Sequence, residues 1–406
     1  MEPSTGAVDW DTAARIAGRL SRPGPTASRD DLTALVADLR AAAGQAAGHA
    51  ARITRLSPAD GADPQDVSRV LVVDRPGWAQ ANTAMLAAMS RPLTEQVAAS
   101  GRTVPARARV AAAAQVGAVL ALLSSRVLGQ FDPFTAAPGD PGRLLLVAPN
   151  VLHLERTLHV DPADFRLWVA LHEQTHALQF AAAPWLADHL RDRTGRLLAD
   201  LVGSVLRDEA RRTEDDSGAT HGDGPARDGG TGEDGPTARD GGPARDGHHS
   251  ADEGPPGDDG RAVVELARSV RRALSGDGDG VLGLLPPEQQ RAFEDIGAVM
   301  ALLEGHADVA MDAVGASVVP TVRTIRRAFE ARRDSGARSR GPQRLVRRLL
   351  GMDTKLAQYR DGAVFVRAVR RAVGMRGLNA VWTDPALLPS PAEIAEPAAW
   401  VRRVHG

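Results

Sequence analysis

The chain has 406 residues, of which 43% are hydrophobic and 25% are charged, and its formal net charge at pH 7 is −2. This length is sufficient for two domains, and this apolar share can fill a substantial core. The chain contains no cysteine, which excludes disulfides, thiolate nucleophiles and cysteine-ligated zinc or iron–sulfur sites. Any bound metal must therefore be held by histidines and carboxylates.

The N-terminal residues 1–10 are acidic and polar, without the basic-then-apolar order of a secretion signal. The most apolar stretch, residues 110–123, is interrupted by Gln115 and is shorter than a bilayer span. We therefore predict a cytoplasmic protein without a membrane partner, in which residues 110–123 belong to a buried core helix.

Helical periodicity dominates the first half of the chain. Apolar residues recur at helical spacing over residues 8–56, and Pro23-Gly24-Pro25 interrupts them, which predicts two helices. Further helices are predicted over residues 80–90 and 106–128.

Two short apolar runs in the same half are candidates for strands. Residues 70–73 form either a short strand or the approach to a turn at 74–78. The aliphatic run 144–148 follows a strong turn and can pair with residues 127–131 in a hairpin.

Residues 214–260 differ in composition from the rest of the chain. Their 47 residues include 13 Gly, 5 Pro, 13 acidic residues and 3 Arg, so their net charge is −10 and the remainder carries +8. Such a segment cannot bury enough apolar surface to order itself, which predicts a disordered acidic insert. Residues 1–213 and 261–406 are then the two parts of one helical domain.

Helical patterning resumes after the insert, and a Pro-rich tail with one short helix is expected over residues 382–406. The predicted helices span residues 263–274, 287–314, 319–333, 343–350 and 353–373.

His172, Glu173 and His176 form an HExxH motif. Asp161 and Pro162 are favourable N-cap and first-turn residues, so a helix that carries the motif is predicted to begin there. Histidines at i and i+4 share one helix face and can hold one Zn²⁺ ion, and the adjacent glutamate can take a proton from water. Because chance placement of these residues gives roughly 0.01 matches, we interpret the motif as a metal site.

A third ligand must come from elsewhere in the chain. Glu304 lies in an apolar helical segment, where a carboxylate needs a partner such as a cation. Asp308, one turn further on, is predicted to accept a hydrogen bond from a ligand histidine's free ring nitrogen. His306 is the alternative third ligand. His306 and Tyr359, the single tyrosine, are also candidates for stabilising an oxyanion.

An Arg-rich region covers residues 323–348 and has another possible role, binding of nucleic acid or an anionic partner. Only Phe329 is available there for base stacking. Solvated helix faces are therefore the preferred interpretation, and a nucleic-acid partner is not expected.

Four segments of the chain resemble the zincin-like metallopeptidase family of high-GC bacteria, whose members are commonly labelled zinc-dependent metalloproteases or deazaflavin coenzyme biosynthesis-associated proteins. They are LWVALHEQTHALQF (167–180), LLEGHADVAMDAVG (302–315), DRPGW (74–78) and QYRDGAVFVRAV (358–369). The resemblance implies a mainly α zincin-like domain with a short β hairpin or small sheet and the HExxH motif on a central helix. It also implies His172 and His176 as zinc ligands, Glu173 as general base, and Glu304 with Asp308 arranged as in gluzincins.

These observations predict a zinc-dependent metallohydrolase, specifically a gluzincin-type metallopeptidase acting on a peptide. The alternative is a non-peptidase zinc protein associated with coenzyme metabolism, either a hydrolase of a small amide or a metal-stabilised binding protein. A basic scaffold for an anionic partner is the third possibility.

Overall fold

The computed structural model describes residues 6–92, 94–95, 104–137, 139–197, 200, 286–338 and 352–406, with the backbone alone described for 333–338 and 352–360. The predicted insert and the predicted helices at 263–274 and 343–350 lie outside these residues.

Helices make up most of the described structure, and three strands form one small sheet, as predicted. The helices are α1 (Trp10–Leu20), α2 (Arg29–Thr54), α3 (Arg75–Met89), α4 (Ala106–Leu123), α5 (Ala148–Leu158), α6 (Pro162–Ala182), α7 (185–197), α8 (Pro287–Ala313), α9 (Val322–Arg338), α10 (Met352–Leu378), α11 (Pro391–Ala395) and α12 (Pro397–His405). The strands are β1 (Ser68–Val73), β2 (Gly129–Asp132) and β3 (Gly142–Val147).

The central strand of the sheet is β3, which runs parallel to β1 and antiparallel to β2. Its side chains alternate between two cores: Leu144 and Leu146 face the main core, whereas Leu145 and Val147 face a smaller cluster with α1, α3 and α4. The predicted pairing of the aliphatic run with the preceding segment is confirmed. Residues 70–73, left open between strand and turn, are strand.

The main core holds α6 in place through a buried amide as well as through apolar packing. Gln174 of α6 donates to the carbonyl oxygen of Ala43 in α2 over 3.1 Å, and it accepts from the Ser68 hydroxyl of β1 over 3.2 Å. Because Gln174 is 1% exposed, these bonds form away from competing water. They tie α6 to both α2 and the sheet.

The DRPGW segment begins helix α3 and is not the free turn predicted before a helix at 80–90. Asp74 is the N-cap, and its Oδ1 accepts from the Gly77 amide over 2.7 Å. The Arg75 guanidinium is buried, with Nε donating to Asn150 Oδ1 over 2.7 Å and Nη1 donating to the Pro23 carbonyl over 2.6 Å. The segment therefore joins α3 to α5 and to the chain before α2.

Helices α8 and α10 cross with their backbones in contact. A β-carbon on Gly305 of α8 would lie 2.2 Å from the carbonyl carbon of Gly362 in α10. A β-carbon on Gly362 would lie 1.9 Å from the carbonyl oxygen of Ala301. Glycine at both positions is what allows this approach.

Helix α4 is not the buried core helix that was predicted. One face packs on α1, but Val110, Val119 and Leu122 on the other face are 46%, 44% and 38% exposed. Among the described residues it is the one helix long and apolar enough to cross a membrane by length and composition, with 28% of it buried. The prediction that this stretch is too short rested on residues 110–123, whereas the helix begins at Ala106.

The C-terminal region has more local structure than the single short helix predicted. Two 3₁₀ turns, Asn379–Trp382 and Pro385–Leu387, precede α11 and α12. Trp382 and Trp400 anchor this region in the main core.

Candidate metal centre

Helix α6 carries the HExxH motif and begins as its N-terminal residues predict. The Asp161 carboxylate accepts from the Asp164 amide over 2.9 Å, and Pro162 occupies the first turn. Within the motif, Gln174 and Thr175 are buried in the core. The helical period therefore places His172 and His176 together on another face.

The three predicted ligands converge on one point between α6 and α8. His172 Nε2 and His176 Nε2 are 3.1 Å apart. Glu304 Oε2 is 3.3 Å from His172 Nε2, and Glu304 Oε1 is 3.7 Å from His176 Nε2. Two atoms that bind zinc at ~2.0–2.1 Å in tetrahedral geometry lie ~3.3 Å apart. The donor set and its spacing therefore fit a zinc ion with three protein ligands.

The candidate ligands are open to solvent on one side. Their side chains are 22% exposed at His172, 12% at His176 and 30% at Glu304. A catalytic metal keeps one position for water or substrate, and this partial exposure provides access to it.

Two of the three candidate ligands, His172 and Glu304, form an ion pair. Burial lowers the pKa of His172, but the hydrogen bond and charge of Glu304 outweigh it, aided by Glu173, and raise this pKa to about 9. Burial raises the pKa of Glu304, yet its contacts with the two histidines lower it to about 2. The pKa of His176 is lowered, chiefly by burial. One protonated histidine thus faces one carboxylate where a cation would bind.

Glu173, the residue after His172, lies against strand β2. Its side chain is 5% exposed, and a β-carbon on Gly129 would lie 2.6 Å from its Cγ. Burial raises the pKa of Glu173 to about 7, with His172 opposing the shift and Glu304 adding to it. A carboxyl group with this pKa can accept and return a proton near neutral pH.

His306 is not placed with the ligands; it lies behind His176 and contacts Gln179. The Gln179 Oε1 is 2.8 Å from His176 Nδ1, and its Nε2 is 3.0 Å from both the Leu303 carbonyl oxygen and His306 Nδ1. Burial and the charge of His176 lower the pKa of His306 to about 3. His306 is 1% exposed, so the geometry does not support its alternative roles as ligand or oxyanion partner.

Asp308 pairs with Arg326 and does not form the predicted hydrogen bond to a ligand histidine. Arg326 Nη1 donates to Asp308 Oδ1 over 3.2 Å, and Arg326 also pairs with Asp312. The guanidinium lies 5.5 Å from the Trp168 ring centroid. The prediction of solvated arginines was therefore wrong for Arg326, whose side chain is 15% exposed.

Tyr359 lies in α10, and its side chain is outside the described residues. Its predicted catalytic role stays a prediction.

Three residues near the centre were missed by the sequence reasoning. Gln179 is one turn beyond His176, and Met311, whose Sδ is 3.1 Å from His172 Nδ1, is two turns beyond Glu304. Both spacings place a side chain on the ligand face of its helix, which is a signal that the sequence contains. Gly129 offered no such signal, because its role depends on the packing of β2 against α6.

Comparison with known proteins bears on the family and the fold of this chain. The family model for zincin-like metallopeptidases matches residues 8–401. A crystal structure from Chloroflexus aurantiacus, described as "a putative hydrolase with a novel fold", is similar over 98% of both chains, with 26% identity and a TM-score of 0.59. A search of curated proteins gave no match. The resemblance drawn from the sequence is therefore confirmed, and the chain belongs to the zincin-like metallopeptidase family.

Proposed function

We propose that this chain is a zinc-dependent peptidase in which His172, His176 and Glu304 hold the metal and Glu173 is the general base. The proposal is carried by one observation: two histidine nitrogens lie 3.1 Å apart, and each lies within 3.7 Å of an oxygen of the Glu304 carboxylate, with the buried carboxyl group of Glu173 on the same helix. Hydrolases that use zinc need both parts.

The protein's own residues supply binding and proton transfer. When bound, zinc provides Lewis acidity, which polarises the scissile carbonyl and lowers the pKa of water. Glu173 takes a proton from the attacking water and then delivers it to the leaving nitrogen. Gly129 of β2 lies against the Glu173 side chain, so we expect the substrate to bind near this strand.

The position of β2 at the edge of the sheet, beside Glu173, favours a peptide as the substrate. Strand β2 pairs with β3 on one side and with no strand of the described chain on the other. An extended peptide can add to such an edge through main-chain hydrogen bonds. A hydrolase of small amides needs no strand edge, so this feature supports the peptidase over that alternative.

The test compares native protein with Glu173→Gln after both are stripped of metal and reloaded with zinc. We expect the native protein to bind one zinc ion and cleave members of a peptide library. Glu173→Gln should bind zinc equally while losing about 10²–10⁴-fold in rate.

Two results would contradict the proposal. Unchanged cleavage by Glu173→Gln would exclude its role as the base. A zinc-loaded native protein that leaves every peptide intact would favour a small-amide hydrolase, or a binding protein if zinc only raises the thermal stability.

A further inference from the structure

Gln179 is a buried amide that connects the two helices of the metal centre. Its side chain is 0% exposed. Its Oε1 lies 2.8 Å from Nδ1 of His176 on α6, and its Nε2 lies 3.0 Å from the Leu303 carbonyl, the residue before Glu304 on α8. One side chain thus contacts a ligand on one helix and the backbone next to a ligand on the other.

The surroundings of Gln179 determine which way its amide points. The Leu303 carbonyl can only accept a hydrogen bond, so the amide nitrogen must face it. If the amide were rotated by 180°, two oxygens would face each other at the 3.0 Å now spanned by the hydrogen bond. The Oε1 atom therefore faces His176, and Nδ1 of His176 must carry the hydrogen.

His306 holds the same amide from the other side. The second hydrogen of Gln179 Nε2 is directed at His306 Nδ1, 3.0 Å away, which makes this nitrogen an acceptor. The proton of His306 then resides on Nε2, a buried atom without a hydrogen-bond partner in the described part of the chain. The His306 ring packs against Trp382 at 5.4 Å between centroids.

We propose that Gln179, oriented by Leu303 and His306, is the positioning residue that fixes His176 with its Nε2 lone pair directed at the metal. This inference rests on the metal-binding part of the proposed function and is independent of peptide cleavage. Residues that orient a ligand histidine in this way typically change metal affinity by about 10–100-fold when removed.

The test measures zinc affinity by competition with a chelator for the full chain and three variants. Gln179→Leu removes the acceptor for His176, and His306→Leu removes one of the two groups that hold the amide. Gln174→Leu is the matched control, because Gln174 is an equally buried glutamine of α6 whose bonds go to Ala43 and Ser68. We expect about a 10–100-fold loss for Gln179→Leu, a smaller loss for His306→Leu, and a change within about threefold for the control.

Cobalt substitution gives a second readout, which a loss of stability alone would not change. We expect the visible spectrum of the cobalt-loaded Gln179→Leu protein to differ from the native spectrum, and that of Gln174→Leu to match it. Should Gln179→Leu fail to fold, Gln179→Asn keeps the amide but shortens its reach, and it should lower affinity in the same direction.

The inference is overturned if Gln179→Leu binds zinc within twofold of the native protein, or if Gln174→Leu loses as much affinity as Gln179→Leu. A native protein that binds no zinc overturns both proposals. A native protein that binds zinc without cleaving peptides overturns the peptidase alone.

Discussion

Gly129 of β2 lies so close to Glu173 of α6 that a β-carbon on Gly129 would be 2.6 Å from the Glu173 Cγ. In Gly129→Ala the buried carboxyl group must therefore move. Because a displacement of about 1 Å at a catalytic group can cost about 100-fold in rate, we expect a loss of this order in kcat/KM. Zinc affinity should stay near the native value, since the three atoms nearest to such a β-carbon all belong to Glu173 and none to the three ligands.

Gly44→Ala is the control for this substitution. Gly44 is an exposed helical residue, and a β-carbon added there meets no atom within 4 Å. Its replacement should leave activity unchanged and stabilise α2 by about 1 kcal/mol. Native activity in Gly129→Ala would show that the position of Glu173 is not set by β2.

Glu304 and Asp308 should differ sharply in their effect on metal binding. Glu304→Gln replaces a charged ligand. Residues that only orient a ligand typically change metal affinity by about 10–100-fold when removed, and we expect the loss of zinc affinity in Glu304→Gln to be larger than that. Asp308→Asn weakens the pair with Arg326 and removes a charge that acts on His172 only as the smallest of several influences, so it should change affinity by less than about threefold. Equal losses in the two variants, measured by chelator competition, would place Asp308 in the centre after all.

Zinc affinity should increase with pH up to about pH 9. In the metal-free protein the pKa of His172 is raised to about 9, above the ~6.5 of an unfolded chain. Its ion pair with Glu304 therefore stabilises the metal-free fold fully below about pH 6.5, and this stability is lost as the pH rises through 9. Below that pH, zinc must displace the His172 proton, so apparent affinity should rise about tenfold per pH unit from pH 7 to 9. An affinity that is flat over this range would contradict the ion pair.

The crossing of α8 and α10 should not accept a methyl group. Gly305→Ala and Gly362→Ala each place a β-carbon within 2.2 Å of the opposing backbone, and backbone atoms cannot move aside as a side chain can. We expect each variant to lose about 1–3 kcal/mol in the free energy of unfolding. Denaturant unfolding of the metal-free proteins measures this loss.

The crossing of α8 and α10 should also affect zinc binding, through the position of Gly305. Because Gly305 is adjacent to Glu304, we expect Gly305→Ala to weaken zinc binding as well. Native stability in both alanine variants would show that the helices can separate at no cost.

Local patterns predicted the parts of this protein that depend on neighbours within one turn of helix. Asp161 caps α6, and the i and i+4 spacing of His172 and His176 places their nitrogens together. Gln179 and Met311 obey the same periodicity, and a search along the ligand faces of the helices would have found both. The turn predicted before α3 failed because Asp74 and Pro76 occur both in turns and at helix starts.

Periodicity and one short motif were enough to predict the helical class and the pair of histidines, and the likeness of four segments was enough to suggest the family. Three relationships came from the tertiary packing: Glu304, and not His306, lies beside the two histidines; Asp308 pairs with Arg326; and Gly129 lies against Glu173. Each of these contacts joins residues that are far apart along the chain. His176 and Glu304 are joined only by the packing of α6 against α8, and no local propensity encodes which side chains that packing brings within 4 Å.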